Sequence, residues 1–239
     1  MRIISGEFKR RRLVTPGDAE TTRPIPDLVK GAVFNLLRGH CEGAVVFDGF
    51  AGTGAIGLEA VSRGAVKLVA VEKDRKIAGI LRRNIEHLGV EDRVELLNAD
   101  ALSPVTAGRC PEGVNLVFLD PPYPMIRERA GWDRVRAQMG RLIARMADDG
   151  FLVVRTPWPH VFEEARETGG GTEVVEIDLE SEDADEALDA FEASLTGAGA
   201  KTYVDAEMGV EGAVGPETHV YRNTAVHLYM RDLPGNVVS

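Results

Sequence analysis

The sequence predicts an α/β protein built on a mostly parallel sheet with helices on both faces. Three observations carry that prediction. Apolar segments of strand length alternate with segments of helical periodicity from Val45 to Arg155. Several strand segments, among them Val66–Val71 (VKLVAV) and Val114–Leu119 (VNLVFL), are almost continuously apolar, as strands covered on both faces are. Finally, an acidic residue (Asp48, Glu72, Asp100, Asp120) falls just beyond each of four successive strands, where ligands of such sheets bind.

Taken in order, residues 2–14 alternate loosely between apolar and polar (Ile3, Ile4, Phe8, Leu13, Val14), with Gly6 at a turn, which reads as a small β-hairpin. Arg2, Lys9, Arg10, Arg11 and Arg12 make it basic, and two readings stay open: an edge strand guarded by charge, or a phosphate-contacting arm. After Thr22-Arg23-Pro24, a helix from Asp27 presents Leu28, Val29, Ala32, Val33, Leu36 and Leu37, and Gly39 can end it.

Val45–Phe47 form the first strand of the alternation, closed by Asp48. A glycine-rich turn (Gly49, Gly52, Gly54, Gly57) leads into an apolar helix with Ile56, Leu58, Ala60 and Val61. Val66–Val71 is the second strand, ending at Glu72. The next helix carries Ile77, Leu81, Ile85 and Leu88 and stops at Gly89. Val94–Leu97 precedes Asn98-Ala99-Asp100, and Val114–Leu119 precedes Asp120-Pro121-Pro122-Tyr123. A helix with Val135, Met139, Leu142, Ile143 and Met146 on one face then leads through Gly150 to a strand at Phe151–Arg155. Thr224–Met230 reads as a closing strand.

Between Glu163 and Pro216 the character changes. Glu173–Leu179 has strand character, Glu182–Leu195 is acidic with a thin apolar stripe, and a glycine-rich, poorly patterned stretch follows. The region reads as a solvated insertion at about 180–215, or else as a surface for a basic partner. The net charge of −10 conceals this asymmetry: residues 1–40 carry +4 and residues 163–217 carry −15. The acidic total therefore does not argue against a nucleic-acid substrate.

At 239 residues with 44% apolar composition, the chain can bury a full core. It contains no apolar run of about 18 residues, and its opening lacks the core of a signal peptide, so a cytoplasmic location is expected. With only Cys41 and Cys110, neither a disulfide scaffold nor a cysteine zinc site is expected, and no metal is assigned.

The strand-end residues describe a ligand. Asp48 can bond a cationic or amino-bearing group, Glu72 can accept both hydroxyls of a ribose, and Asp100 can accept from an adenine amine. Gly52-x-Gly54-x-x-Gly57, with Glu72 about 20 residues on, also fits a dinucleotide fingerprint, but a pyrophosphate gains nothing from the anionic Asp48 beside it. Asp120-Pro121-Pro122-Tyr123 discriminates further. Its prolines fix the directions of the Asp120 carboxylate and the Pro121 carbonyl, two acceptors suited to a planar –NH₂ group. Tyr123 adds a face for stacking a base.

DGFAGTG, the acidic ends at Glu72 and Asp100, and DPPY resemble a class I S-adenosylmethionine-dependent amino-methyltransferase. More closely, MRIISGEFKRRRLVTP, TTRPIPDLVKGAVFNLL and FAGTGAIGLEAVSRGA are similar to the RsmD family of 16S rRNA (guanine-N2)-methyltransferases, over residues 1–158 and the final strand. The resemblance implies a Rossmann-like, seven-stranded methyltransferase domain at 23–239 behind a basic hairpin at 1–22. It implies S-adenosylmethionine bound by Asp48, Gly49, Ala51, Gly52, Gly54, Glu72, Lys73, Asp100 and Ala101. Catalysis falls to Asp120, Pro121, Pro122 and Tyr123, and 16S rRNA in the small subunit is contacted by Lys9, Arg10, Arg11, Arg12 and Arg23. A monomer is expected. Gly49 stands where the family has a bulky apolar residue, and Arg222 stands where a glycine is usual. The rival readings are a DNA adenine-N6 or cytosine-N4 methyltransferase, a protein-glutamine methyltransferase, and a non-catalytic RNA-binding assembly factor.

Overall fold

A computed structural model describes residues 1–16, 25–164 and 202–233. The chain divides into two compact units, Met1–Pro159 with Glu207–Ser239, and His160–Ala206.

The larger unit is organised on a seven-stranded sheet. Its strands are β1 (Val45–Asp48), β2 (Lys67–Val71), β3 (Val94–Leu97), β4 (Val114–Leu119), β5 (Met146–Pro157), β8 (Ala213–Tyr221) and β9 (Thr224–Arg231), in the order β3-β2-β1-β4-β5-β9-β8. The first five are parallel, and β9 and β8 add antiparallel. The Rossmann-like, mostly parallel fold is thus as the alternation predicted. The order reverses between β1 and β4, which opens a crevice at their carboxyl ends.

Residues alternate between the faces. Val46, Leu68, Leu116, Phe118 and Val153 join one core with α1 (Asp27–Leu36), α2 (Gly57–Ser62) and α3 (Arg75–Leu88). The opposite face is covered from β4 onward by α4 (Pro104–Ala107), α5 (Tyr123–Ile126) and α6 (Arg129–Ile143), where Trp132, Val135, Met139 and Leu142 are fully buried. This division follows from right-handed crossovers running outward in both directions from β1. Asp74 caps α3 by accepting from the Lys76 and Ile77 amides at 2.7 and 3.0 Å, and Gly89 ends it in the left-handed region.

The N-terminal segment folds back on itself antiparallel, although too briefly to count as two strands. Arg2 bridges Arg12, the Ile3 amide donates to the Arg11 carbonyl and the Arg10 amide to the Ile3 carbonyl, both at 2.9 Å, and the Leu13 amide donates to the Met1 carbonyl at 3.1 Å. Buried side chains from α2 anchor it as well. The Glu59 carboxylate accepts from the Ile4 and Ser5 amides at 2.7 and 3.0 Å, and the Ser62 hydroxyl accepts from the Phe8 amide at 3.0 Å. Lys30, fully buried like Glu59, pairs with it at 3.2 Å and donates to the Arg2 carbonyl at 2.7 Å. Arg63 completes the cluster at 2.9 Å from Glu59.

Two further differences concern strands. The stretch read as poorly patterned up to Pro216 contains the start of β8, an edge strand with few buried residues. β5 is longer than Phe151–Arg155 at both ends. In the smaller unit, β6 (Val161–Glu164) pairs antiparallel with β7 (Thr202–Asp205), and His160 packs edge-on against Phe162. The expected strand at Glu173–Leu179, the acidic stripe at Glu182–Leu195 and Arg23 lie outside the described residues. Among the described residues, no helix is long and apolar enough to cross a membrane.

Candidate active site

The glycine turn closes over the end of β1. Asp48 is the last residue of that strand and only 1% exposed. Its Oδ2 accepts from the Gly57 amide at 3.0 Å, which fixes the turn to the start of α2. Its Oδ1 has no partner and is buried. Burial pushes this carboxyl up to about 7; the Gly57 amide opposes the shift, and the carboxylates of Asp120 and Glu72 add to it. Asp48 is therefore a costly residue whose unused oxygen awaits a donor.

Two glycines of the turn serve different ends. At Gly52, in the left-handed region, an added Cβ would meet nothing within 4 Å, so the backbone there faces open space. At Gly54 it would lie 2.6 Å from side-chain carbons of Leu58 and Leu81, so that glycine serves close packing. Gly49 sits in a tightly packed position. A Cβ there would lie 2.5 Å from a Leu119 methyl, and its amide bonds the Phe118 carbonyl at 2.9 Å.

Glu72, beyond β2, reaches across to this turn. Its Oε2 accepts from the Gly52 amide at 3.0 Å and its Oε1 from the Asp74 amide at 2.7 Å. Burial raises its carboxyl above the usual range against the pull of these amides. Each oxygen keeps a second acceptor direction. Asp100, beyond β3, accepts from the Leu102 amide at 3.0 Å and pairs with the exposed Lys73 at 3.0 Å. Burial raises its carboxyl, but the amide and the Lys73 ammonium outweigh that and hold it below the usual range. Ala101 is buried, its carbonyl bonded by the Gln138 side chain at 2.6 Å. Asp48, Glu72, Gly52 and Ala51, whose amide bonds the Val71 carbonyl at 2.9 Å, thus form one cluster, with Lys73 and Asp100 as its outer pair.

Asp120, beyond β4, is gripped by a residue the sequence reading did not select. Arg155 donates to both carboxylate oxygens, Nε to Oδ1 at 2.8 Å and Nη2 to Oδ2 at 3.0 Å. Its third nitrogen donates to the Tyr123 hydroxyl at 3.0 Å, and the guanidinium lies 5.0 Å from the Tyr123 ring centroid. The Tyr123 and Thr224 hydroxyls share a hydrogen bond at 2.5 Å, and both lie within reach of the Thr156 carbonyl, at 3.3 and 3.0 Å. Pro121 is buried and Pro122 exposed. The bidentate fork fixes the plane of the carboxylate, and both partners are only about one-sixth exposed (15% and 16%), so water does little to loosen it.

Asn84 was also missed. Fully buried on α3, it donates to the Thr53 carbonyl at 2.8 Å and the Val14 carbonyl at 3.0 Å, and accepts from the Val14 amide at 2.7 Å. It thereby ties the glycine turn to the N-terminal segment. On that segment Lys9, Arg10, Arg11 and Arg12 are all exposed, and Arg11 reaches the His87 carbonyl at 3.4 Å.

A family model described as conserved hypothetical protein 95 matches residues 1–158. Over 124 residues, 52% of the chain, the sequence is 35% identical to the ribosomal RNA small subunit methyltransferase D of Haemophilus influenzae, covering 64% of that protein. Over 123 residues it is 37% identical to the protein of the same name from Escherichia coli K12, covering 60% of it. The match thus spans less than two thirds of the length of either relative. Among solved structures, a candidate methyltransferase from Escherichia coli, yhhF, shares the fold with a TM-score of 0.65 at 22% identity, covering 98% of this chain and 99% of that one.

Proposed function

The chain belongs to the conserved hypothetical protein 95 family, and from that membership and the strand-end geometry we propose that it is an S-adenosylmethionine-dependent RNA methyltransferase. The acceptor is the exocyclic N2 amine of a guanine in 16S rRNA, presented in the small ribosomal subunit or an assembly intermediate. The observation that carries the reading is the Asp120 carboxylate, pinned by Arg155 beside Tyr123 in the crevice where β1 and β4 diverge. The names of the curated relatives support the RNA acceptor.

The residues fit the cofactor. The open space at Gly52 admits a ligand against the backbone, the Glu72 carboxylate suits a ribose diol, and Asp48 offers an unpartnered anionic oxygen to a positively charged ligand. A dinucleotide would bring its own negative charge towards Asp48, which disfavours that alternative. When bound, S-adenosylmethionine supplies an electrophilic methyl group. The protein supplies placement. Asp120 and the Pro121 carbonyl accept hydrogen bonds from the guanine –NH₂, which favours a more tetrahedral nitrogen with its lone pair directed towards the methyl donor. Asp120 also stands ready to take the proton that becomes acidic as the N–C bond forms. Tyr123 stacks on the base, which must leave its helix to reach the crevice. The exposed Lys9, Arg10, Arg11 and Arg12, together with Arg23, hold phosphates.

The test is an acceptor panel. Transfer of labelled methyl to small subunits lacking their native modifications is expected, with little transfer to DNA or protein. Label in DNA or protein alone would overturn the RNA reading, and cofactor binding without transfer to any acceptor would favour the assembly factor.

A further inference from the structure

A second aromatic side chain stands at the same end of the sheet as Tyr123. Trp158 follows β5 and is 44% exposed, whereas Trp132 is 1% exposed. The last pair of the β5–β9 register joins Pro157 to Thr224, the residue whose hydroxyl shares a hydrogen bond with that of Tyr123. One step further, the Trp158 amide donates to the Asn223 carbonyl at 3.0 Å. Trp158 therefore lies against the two-residue turn, Arg222-Asn223, that joins β8 to β9. Both turn residues are exposed.

Arg222 adopts φ 55°, a left-handed conformation that costs an arginine more than it would a glycine or asparagine. The chain thus places an arginine, at some backbone cost, on the turn whose Asn223 carbonyl bonds the Trp158 amide, at the strand end that also carries Thr224 and its Tyr123 partner. Val220, at 47% exposure, is the other exposed large apolar side chain of this turn region among the described residues. One indole and one valine fall short of the apolar patch that a protein partner uses. An aromatic face with an adjacent cation is the arrangement that holds one unstacked nucleotide, the base on the ring and the phosphate on the cation.

We infer that Trp158 and Arg222 form a binding platform for a single-stranded nucleotide flanking the target guanine. The inference rests on the proposed RNA substrate and adds a second contact region, on the opposite side of β1 from β2 and β3. It also explains how a base already pulled from its helix is kept there: its neighbour is stacked on Trp158 and cannot re-form the helix without leaving it.

Two measurements test the platform. The first is tryptophan fluorescence during titration with a short single-stranded RNA, comparing the parent protein with Trp158→Phe. Stacking quenches the parent and leaves Trp158→Phe, which retains only the buried Trp132, unchanged; equal quenching or none overturns the inference. The second is steady-state methyl transfer to unmodified small subunits. Trp158→Ala is expected to raise KM for the subunit about 5- to 100-fold, while Trp158→Phe stays within about threefold, because a phenyl ring still stacks. KM for S-adenosylmethionine and kcat remain as in the parent. Arg222→Ala lowers the slope of log affinity against log salt by about one. A parent-like subunit KM in Trp158→Ala overturns the platform and leaves the proposed reaction standing. If the parent transfers no methyl to RNA, the proposed reaction falls, and the quenching experiment, which needs no turnover, still decides the platform.

Discussion

Replacing Asp48 by asparagine should stabilise the ligand-free protein at neutral pH while weakening its hold on the cofactor. Burial pushes the carboxyl up to about 7 in the folded chain, against about 4 for an ordinary aspartate. Between those values the folded state binds more protons than the unfolded state, so stability is full below about pH 4 and falls as pH rises towards 7. That displacement corresponds to a loss of about 4 kcal/mol, all of it in force at pH 8. Asparagine keeps an oxygen for the Gly57 amide and carries no charge. Near pH 4 the two proteins should be close in stability, since a protonated Asp48 leaves one unpaired buried O–H and an asparagine leaves an unpaired buried –NH₂ with two N–H groups. Urea unfolding followed by the fluorescence of buried Trp132 measures the difference at each pH. It should grow from near zero at pH 4 towards about 4 kcal/mol at pH 8 in favour of Asp48→Asn. Affinity for S-adenosylmethionine should fall about tenfold or more, the scale of one charge-assisted hydrogen bond. A difference independent of pH, or an Asp48→Asn protein less stable at pH 8, would refute the argument that this carboxylate is held against its own stability for a ligand.

Glu59→Ala should cost about 3–5 kcal/mol, because it leaves Lys30 charged and fully buried without its partner. Hydrogen exchange at the Ile4 and Ser5 amides should accelerate in that variant, and unchanged protection there would show that the segment is held by other means. Neutralising Arg10, Arg11 and Arg12 together should lower the salt slope of RNA binding by up to about three, read from affinities at several salt concentrations. An unaltered slope would reduce the segment to a charged edge.

Much of the site is legible in the sequence because a parallel sheet brings its strand ends together. Asp48, Glu72, Asp100 and Asp120 needed only the strands to be found and the sheet to be recognised as parallel. Arg155 needed more. It stands opposite Asp120 because Leu119 pairs with Val154, a register no motif encodes. The available signal was a lone arginine ending an apolar strand. Asn84 was hidden within the apolar stripe of α3 defined by Ile77, Leu81, Ile85 and Leu88, where a buried amide at position 84 marks an internal contact. Its partners, Thr53 and Val14, lie 31 and 70 positions away. β8 escaped notice because an edge strand buries little and so carries almost no hydrophobic pattern. In the N-terminal segment Ile3, Phe8 and Leu13 face the core, and besides its own cross-bonds the backbone bonds to Glu59 and Ser62, more than 50 positions away, which no local pattern encodes.

The most direct test of the account is the identity of the methylated nucleoside. Small subunits lacking their native modifications would be treated with the protein and labelled S-adenosylmethionine, and the rRNA digested and resolved by mass spectrometry. The account predicts N2-methylguanosine at one position with the parent protein. It predicts none with Asp120→Ala, which should still bind the cofactor, since the residues assigned to that ligand are Asp48, the glycine turn, Glu72 and Asp100. Methylation at another atom, undiminished product from Asp120→Ala, or loss of cofactor binding in a folded Asp120→Ala protein would contradict it.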